Sequence, residues 1–101
     1  MAILQNAVIS FSTAADQTVI AAVSGKQIKV YALNLVAAGA TTVTVKDGST
    51  ALTGAMTLAT GVPITYEAGP FPWFVTSQGN ALVINDSGAV QVSGNVLYET
   101  T

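Results

Sequence analysis

The chain contains no cysteine, no histidine and no arginine, and these absences exclude several kinds of chemistry. Without cysteine there are no disulfides and no thiolate metal sites, so stability must come from packing, hydrogen bonding and association. Without histidine, no serine can be activated by a Ser-His relay, and a Cys-His pair is excluded as well. A Ser-Lys pair drawn from Ser24-Gly25-Lys26 is better explained as a turn between two strands.

Charge is also scarce. Charged residues make up 8% of the 101 residues, whereas roughly 25% is usual in soluble domains. Copies of such a chain repel one another weakly, so the composition indicates a component of an assembly. The net charge is −2, with only Lys26, Lys29 and Lys46 as cations. This balance offers no electrostatic attraction to a phosphate backbone, and we expect no nucleic-acid partner.

The length fits a single domain covering residues 1–101, which can bury roughly 60–70% of its extended surface. No apolar run approaches the roughly 18–20 residues of a membrane span, so no membrane partner is expected. Residues 1–6 lack the basic start and apolar middle of a secretory signal. They are interpreted as an N-terminal arm that reaches a neighbour, the alternatives being a frayed terminus or a first edge strand.

Hydrophobic alternation with period two runs through most of the chain and predicts about eight short strands. They are expected at 7–12, 17–23, 27–37, 41–46, 62–67, 81–85, 89–93 and 94–99. Asp47-Gly48 predicts one hairpin, and Asp86-Ser87-Gly88 predicts another between 81–85 and 89–93. Thr and Val surround the Ala-rich patches and disfavour helix. The pattern therefore predicts an all-β fold, an antiparallel β-sandwich with the eight strands of a jelly roll.

Residues 27–37 are apolar on both faces of the predicted strand. Strict alternation places Ile28, Val30 and Ala32 on one face and Tyr31, Leu33 and Leu35 on the other. One explanation is a long strand that contains a β-bulge and switches sheets. The other is that the Tyr31, Leu33 and Leu35 face packs on a sister subunit, because single domains seldom expose large apolar patches.

The five acids do not form an obvious catalytic motif. Asp47 and Asp86 lie in turn sequences, where a short carboxylate binds its own backbone, and Asp16 lies in a predicted loop. Glu67 and Glu99 fall near strand ends, where we expect them to be solvated. A glycosidase would need two of these acids to converge in a cleft. Calcium binding around Asn85 and Asp86 has only weak support, so we expect no enzyme activity, no metal and no cofactor.

Residues 69–74 contain the main concentration of aromatic side chains. Pro70 and Pro72 restrict the backbone and would order the neighbouring rings at small entropic cost. The segment either plugs one end of the sandwich or presents Phe71 and Trp73 as a contact surface, since aromatic side chains are enriched in both roles.

Several runs of the chain resemble small virion proteins of tailed bacteriophages. They are residues 18–30, 33–35, 39–48 and 51–58, followed by Trp73-Phe74, Thr76, Gly79, Ala81-Leu82 and Ser93-Gly94. The likeness covers most of the chain from about residue 17 onward. Residues 70–72 differ from the Gly-rich turn of that group, so no role is carried over to this loop.

The resemblance implies a head decoration, or cement, protein: a virion structural protein with a jelly-roll β-sandwich, commonly a homotrimer, on the outside of the assembled capsid. Its partner would be the major capsid protein, with no small-molecule substrate, and it would be made in the bacterial host cytoplasm. The alternative is a phage fibre or spike module that binds host-surface glycan. The expected interface residues are Met1, Ile3, Leu4, Tyr31, Leu33, Leu35, Phe71 and Trp73.

Overall fold

A computed structural model describes residues 4–67 and 70–101, and none of these residues is helical. The described chain forms ten β-strands. They are β1 (Gln5–Phe11), β2 (Asp16–Ile20), β3 (Ile28–Ala37), β4 (Thr41–Asp47), β5 (Thr50–Ala51), β6 (Met56–Leu58), β7 (Ile64–Glu67), β8 (Phe74–Val75), β9 (Leu82–Asp86) and β10 (Val92–Thr100). The predicted all-β class is confirmed.

The strands form two antiparallel sheets that pack face to face, as a β-sandwich requires. Sheet A has the order β1-β10-β3-β7, with β8 also pairing with β3. Sheet B has the order β2-β9-β4-β5, with β6 also pairing with β4. The chain crosses between the sheets at six of the nine connections between the described strands, so strands that are neighbours in sequence are seldom neighbours in a sheet.

The core lies between the two inner faces and is built by the period-two alternation. In β4, Val43 and Val45 are buried, while Thr42, Thr44 and Lys46 lie on the outer face. This is the division that the alternation predicts. The other buried apolar side chains are Ile9, Ile20, Ile28, Val30, Leu33, Leu35, Ala37, Leu58, Phe74, Leu82, Val83, Ile84, Val92 and Val96.

β3, the strand predicted to be apolar on both faces, contains a β-bulge. The register with β10 shifts so that Ala32 faces Leu97 while Val30 faces Tyr98, which leaves Tyr31 as the extra residue. The extra residue inverts the alternation, so Leu33 and Leu35 point into the same core as Val30. The prediction that Leu33 and Leu35 face a sister subunit is therefore wrong. The strand does contain the predicted bulge, but it stays in sheet A throughout.

One of the two predicted hairpins is present. β4 and β5 pair across Gly48-Ser49, with Asp47 opposite Thr50. Gly48 adopts a φ of 59°, a conformation that residues with a Cβ reach at a cost. The Asp-Gly sequence therefore marks the turn correctly.

The second predicted hairpin, at residues 86–88, is wrong, because β9 belongs to sheet B and β10 to sheet A. Side chains and backbone at the start of β4 hold this turn: the Ser87 amide donates to the Thr42 carbonyl at 3.0 Å, and the Gly88 amide donates to Thr41 Oγ1 at 3.1 Å. The chain then crosses to the end of β3, where the Ala38 amide donates to the Gln91 carbonyl at 2.9 Å. The predicted strands 89–93 and 94–99 merge into β10.

Gly94 allows β10 to lie very close to β3. It faces Ile9 of β1 on one side and Leu35 of β3 on the other. A Cβ at this position would overlap the carbonyl oxygen of Asn34 and lie 2.7 Å from its carbonyl carbon. Because both contacts are backbone atoms of a central strand, no side-chain movement can relieve them.

We expect Gly94→Ala to lower the free energy of unfolding by more than about 3 kcal/mol, above the usual cost of overpacking, since β10 and β3 must separate locally. Gly54→Ala is the matched control, because a Cβ there meets no atom within 4 Å, and it should change stability by no more than about 0.5 kcal/mol. Urea unfolding followed by circular dichroism measures both. Equal stability of the two variants would contradict the inference that the close approach of β10 to β3 requires glycine at position 94.

Candidate interaction surface

Part of the outer face of sheet A presents mostly neutral side chains and is here called the amide face; Lys29 and Tyr31 lie on the same outer face of β3, outside this set. The members of the amide face alternate with buried or half-buried residues along β1, β10, β3 and β7. They are Asn6, Val8, Ser10, Ser93, Asn95, Leu97, Ala32, Asn34, Val36, Thr65 and Glu67. Only Glu67 among these eleven residues is charged. The face can therefore make hydrogen bonds and apolar contacts with little desolvation of charge.

Hydrogen bonds between side chains order the amide face. In register, Val8 lies opposite Asn95, Asn95 opposite Asn34, and Asn34 opposite Thr65. Asn95 Nδ2 donates to Asn6 Oδ1 at 2.8 Å, and Thr65 Oγ1 donates to Asn34 Oδ1 at 3.3 Å. These bonds restrict the amide orientations before any partner arrives, which reduces the entropy lost on binding.

A shallow depression of about 270 Å³ lies in the middle of this face. It is lined by Ala32, Leu33, Asn34, Thr65, Tyr66, Glu67, Asn95 and Leu97. The floor is apolar, while amide, hydroxyl and carboxylate groups lie around it. The sequence analysis did not single out Asn34 and Asn95, although an Asn between apolar residues of a strand indicates that its own face of the strand is not core.

The aromatic segment borders the same sheet at β7 and β8. The Trp73 ring stacks on Tyr66 with ring centroids 4.1 Å apart and meets the Phe74 ring edge-on at 5.6 Å. Phe74 is buried, whereas Phe71 is 74% exposed and Trp73 is 47% exposed. Phe74 therefore belongs to the core, while Phe71 and Trp73 face outward, and their role as a contact surface stays a prediction.

The remaining predicted interface residues differ in position. Leu4 is 46% exposed and lies immediately before β1. The Tyr31 hydroxyl donates to Glu99 Oε1 at 2.8 Å, and this hydrogen bond raises the pKa of Tyr31 above its usual value. Met1 and Ile3 lie outside the described residues.

Three of the five acids, Asp47, Asp86 and Glu99, are buried and accept hydrogen bonds within the fold. Asp47 accepts hydrogen bonds from the Ser77 amide, the Ser77 hydroxyl and Asn80 Nδ2 at 2.9–3.0 Å, and so ties the end of β4 to the loop before β9. Buried Asp86 accepts a hydrogen bond from Thr41 Oγ1 at 2.7 Å. The predicted turn role of Asp86 matches its contact with the Gly88 amide, which donates to Asp86 Oδ1 at 3.3 Å. The predicted role of Asp47 is wrong, because its carboxylate binds Ser77 and Asn80 and not the backbone of its own turn. Glu99 is also buried, and not solvated as predicted.

The exposed charge is consequently smaller than the composition suggests. Asp16, at the start of β2, accepts a hydrogen bond from Lys46 Nζ at 2.8 Å across sheet B. This bond, and a second from Asn85, lower the pKa of Asp16. Three further acids are buried. Among the described residues, the charged side chains that are neither buried nor ion-paired are Lys26, Lys29 and Glu67.

We expect the contacts of Asp47 to produce acid sensitivity. Burial alone raises the pKa of this carboxyl, but the hydrogen bonds from Asn80 and Ser77 outweigh burial and hold the pKa below its usual value. Because the folded pKa is depressed, the stabilisation is present above the unfolded pKa of about 4 and is lost as pH falls through the folded value.

Asp47→Asn should lower the free energy of unfolding at pH 7 by about 1–2 kcal/mol, because at least one of the partly buried donors loses its charged acceptor. It should also reduce the loss of stability below pH 4. Glu67→Gln, on the amide face, is the control and should change neither quantity. Denaturant unfolding between pH 2 and pH 7 tests this, and an Asp47→Asn curve parallel to that of the unmodified protein would contradict it.

No helix within residues 4–67 and 70–101 is long and apolar enough to cross a membrane. The same residues contain no group of three or more His, Cys, Asp or Glu side chains placed to hold a metal ion. No protein-family model and no curated protein matches this chain.

Proposed function

We propose that this chain is a structural protein of a tailed bacteriophage that binds the outside of the assembled head and bridges major capsid subunits. The observation that carries the proposal is the nearly neutral exterior, on which Lys26, Lys29 and Glu67 are the exposed charges without an ion-pair partner in the described part of the chain. A surface with so few charges favours contact with other protein over isolation in solvent.

The strand order supports the jelly-roll part of the proposal. A jelly roll combines two Greek keys in two sheets of four strand positions each. Sheet A supplies four positions with β1, β10, β3 and the β7/β8 edge, and sheet B supplies four with β2, β9, β4 and the β5/β6 edge. In chain order the eight positions lie in sheets A, B, A, B, B, A, B and A. This order is compatible with two Greek keys, and jelly rolls are common among viral capsid proteins.

The amide face is the surface that we assign to the capsid. A flat face of amides, hydroxyls and small apolar groups can dock on another protein through hydrogen bonds and close packing. Such contacts are only weakly screened by salt, in contrast to exposed ion pairs. A head protein that withstands changes of ionic strength outside the cell benefits from this property. The resemblance implies a homotrimer, whereas the unprotected β1 edge described below leads to a two-fold dimer of the free protein; the sedimentation experiment proposed there distinguishes the two predictions.

Co-sedimentation tests the proposal. The purified protein is mixed with expanded tailed-phage capsids that lack decoration proteins, and the shells are pelleted at salt concentrations from 0.05 to 1 M. We expect the protein to pellet with the shells at every salt concentration and to raise the temperature at which they break. Protein that stays in the supernatant, or binding that high salt abolishes, would contradict the proposal.

A pair of matched variants locates the docking surface. Asn34→Lys adds a charge to the centre of the amide face and should weaken shell binding at least tenfold. Thr57→Lys adds the same charge to an exposed position on β6 of sheet B and should bind as the unmodified protein does. Equal binding by both variants would remove the amide face from the proposal.

The half-exposed Trp73 ring favours a second candidate function. In this alternative the chain is a fibre or spike module that binds host-surface glycan. Sugar rings pack their apolar faces on exposed aromatic rings, and Trp73 is held in place by its stacking on Tyr66. The expected result is binding on a glycan array that Trp73→Ala abolishes, while Val62→Ala, at another exposed apolar position, retains it. An array without signal would eliminate this candidate.

A further inference from the structure

The strand β1 forms one edge of sheet A and carries none of the features that usually protect an edge. All seven residues pair with β10 without a shift of register. The sequence Gln5–Phe11 contains no charge and no proline. Within the described residues, no strand pairs with its other side. Its outward N–H and C=O groups are therefore available to another strand.

The other three edges of the sandwich are protected. The β2 edge is five residues long, begins with the charged Asp16 and has a register shift between Thr18 and Ile20. The β5/β6 edge consists of strands of two and three residues. The β7/β8 edge consists of strands of four and two residues, and Glu67 and three prolines lie in or beside them. Short strands, bulges, charges and prolines all discourage edge-to-edge pairing.

We propose that β1 pairs with β1 of a second copy of this chain, antiparallel, about a two-fold axis through Val8. This register uses all seven residues of the strand and is self-complementary, as a two-fold interface requires. On the outer face it places Val8 against Val8 of the second copy and Asn6 against Ser10. On the inner face it places Ala7 against Ile9. No pair contains a charge, so no like-charge repulsion opposes the contact.

The exposure of Val8 supports this register. Its side chain is 73% exposed, although it lies at the centre of a strand in an ordered sheet. Cross-strand packing against a second Val8 removes this apolar surface from water. A two-fold axis perpendicular to the sheet also leaves both amide faces on the same side. The dimer thus presents one continuous amide face of twice the area.

This inference concerns the free protein and does not depend on capsid binding. A sedimentation-velocity series over protein concentration measures the mass in solution. We expect a species of twice the 10.2 kDa chain. Val8→Lys should raise the dissociation constant at least tenfold, because two ammonium groups would meet at the axis. Val62→Lys, at another exposed valine, should leave it unchanged, and circular dichroism confirms that both variants fold.

Cysteine substitution tests the register independently, because the chain has no cysteine of its own. In Val8→Cys, the two sulfurs meet at the axis, where the Cα separation of directly opposed residues permits a disulfide. Mild oxidation of dilute protein should give a covalent dimer for Val8→Cys and none for Val62→Cys.

Three results would overturn the inference: a monomer at all concentrations, a dimer that Val8→Lys leaves intact, or a trimer. None of these results affects the capsid proposal, which shell binding decides. Conversely, a dimer that depends on Val8, together with shells that bind no protein, would retain the strand pairing and reject the capsid function.

Discussion

The pairing of β10 with β3 is the contact on which the other features of sheet A depend. Gly94 allows the two backbones to approach, and the extra residue Tyr31 inverts the alternation of β3 midway. Because of that inversion, Leu33 enters the core and Asn34 reaches the outer face. Without the bulge, the same strand would bury Asn34 and expose Leu33. One inserted residue therefore determines both the packing of the core and the chemistry of the amide face.

The neutral exterior results partly from where the fold uses its charges. Asp47 and Asp86 are buried as hydrogen-bond acceptors at the ends of strands, and Glu99 is buried as the acceptor of Tyr31 between the paired strands β10 and β3. This use has a cost, because Asp86 Oδ2 is buried and finds no hydrogen-bond partner among the described residues. Because these carboxylates are buried, they add no charge to the surface that could repel neighbouring molecules.

The sequence predicted local structure better than it predicted pairing. Alternation located the long strands and the Val43 and Val45 core, and Asp47-Gly48 located a hairpin, because these features depend on adjacent residues. The turn at Asp86 looks equally like a hairpin, yet its contacts with Thr41 and Thr42, more than forty positions away in sequence, send the chain to the other sheet. The amide face was missed for the same reason, since it exists only after four strands are in register.

The two sheets differ in how their outward charges are paired and in how their edge strands are protected. Sheet B carries the Asp16–Lys46 ion pair on its outer face and protects both its edges. Sheet A carries Lys29 and Glu67 on β3 and β7 without an ion-pair partner among the described residues, and its β1 edge is charge-free and unprotected. The sequence contains the origin of this difference, because its first charged residue is Asp16, at the start of β2, and β1 precedes it. An isolated sandwich would gain from charge or proline in β1. β1 has neither a charge nor a proline, while the other three edges of the sandwich are protected. We therefore attribute the unprotected β1 edge to pairing with a partner strand.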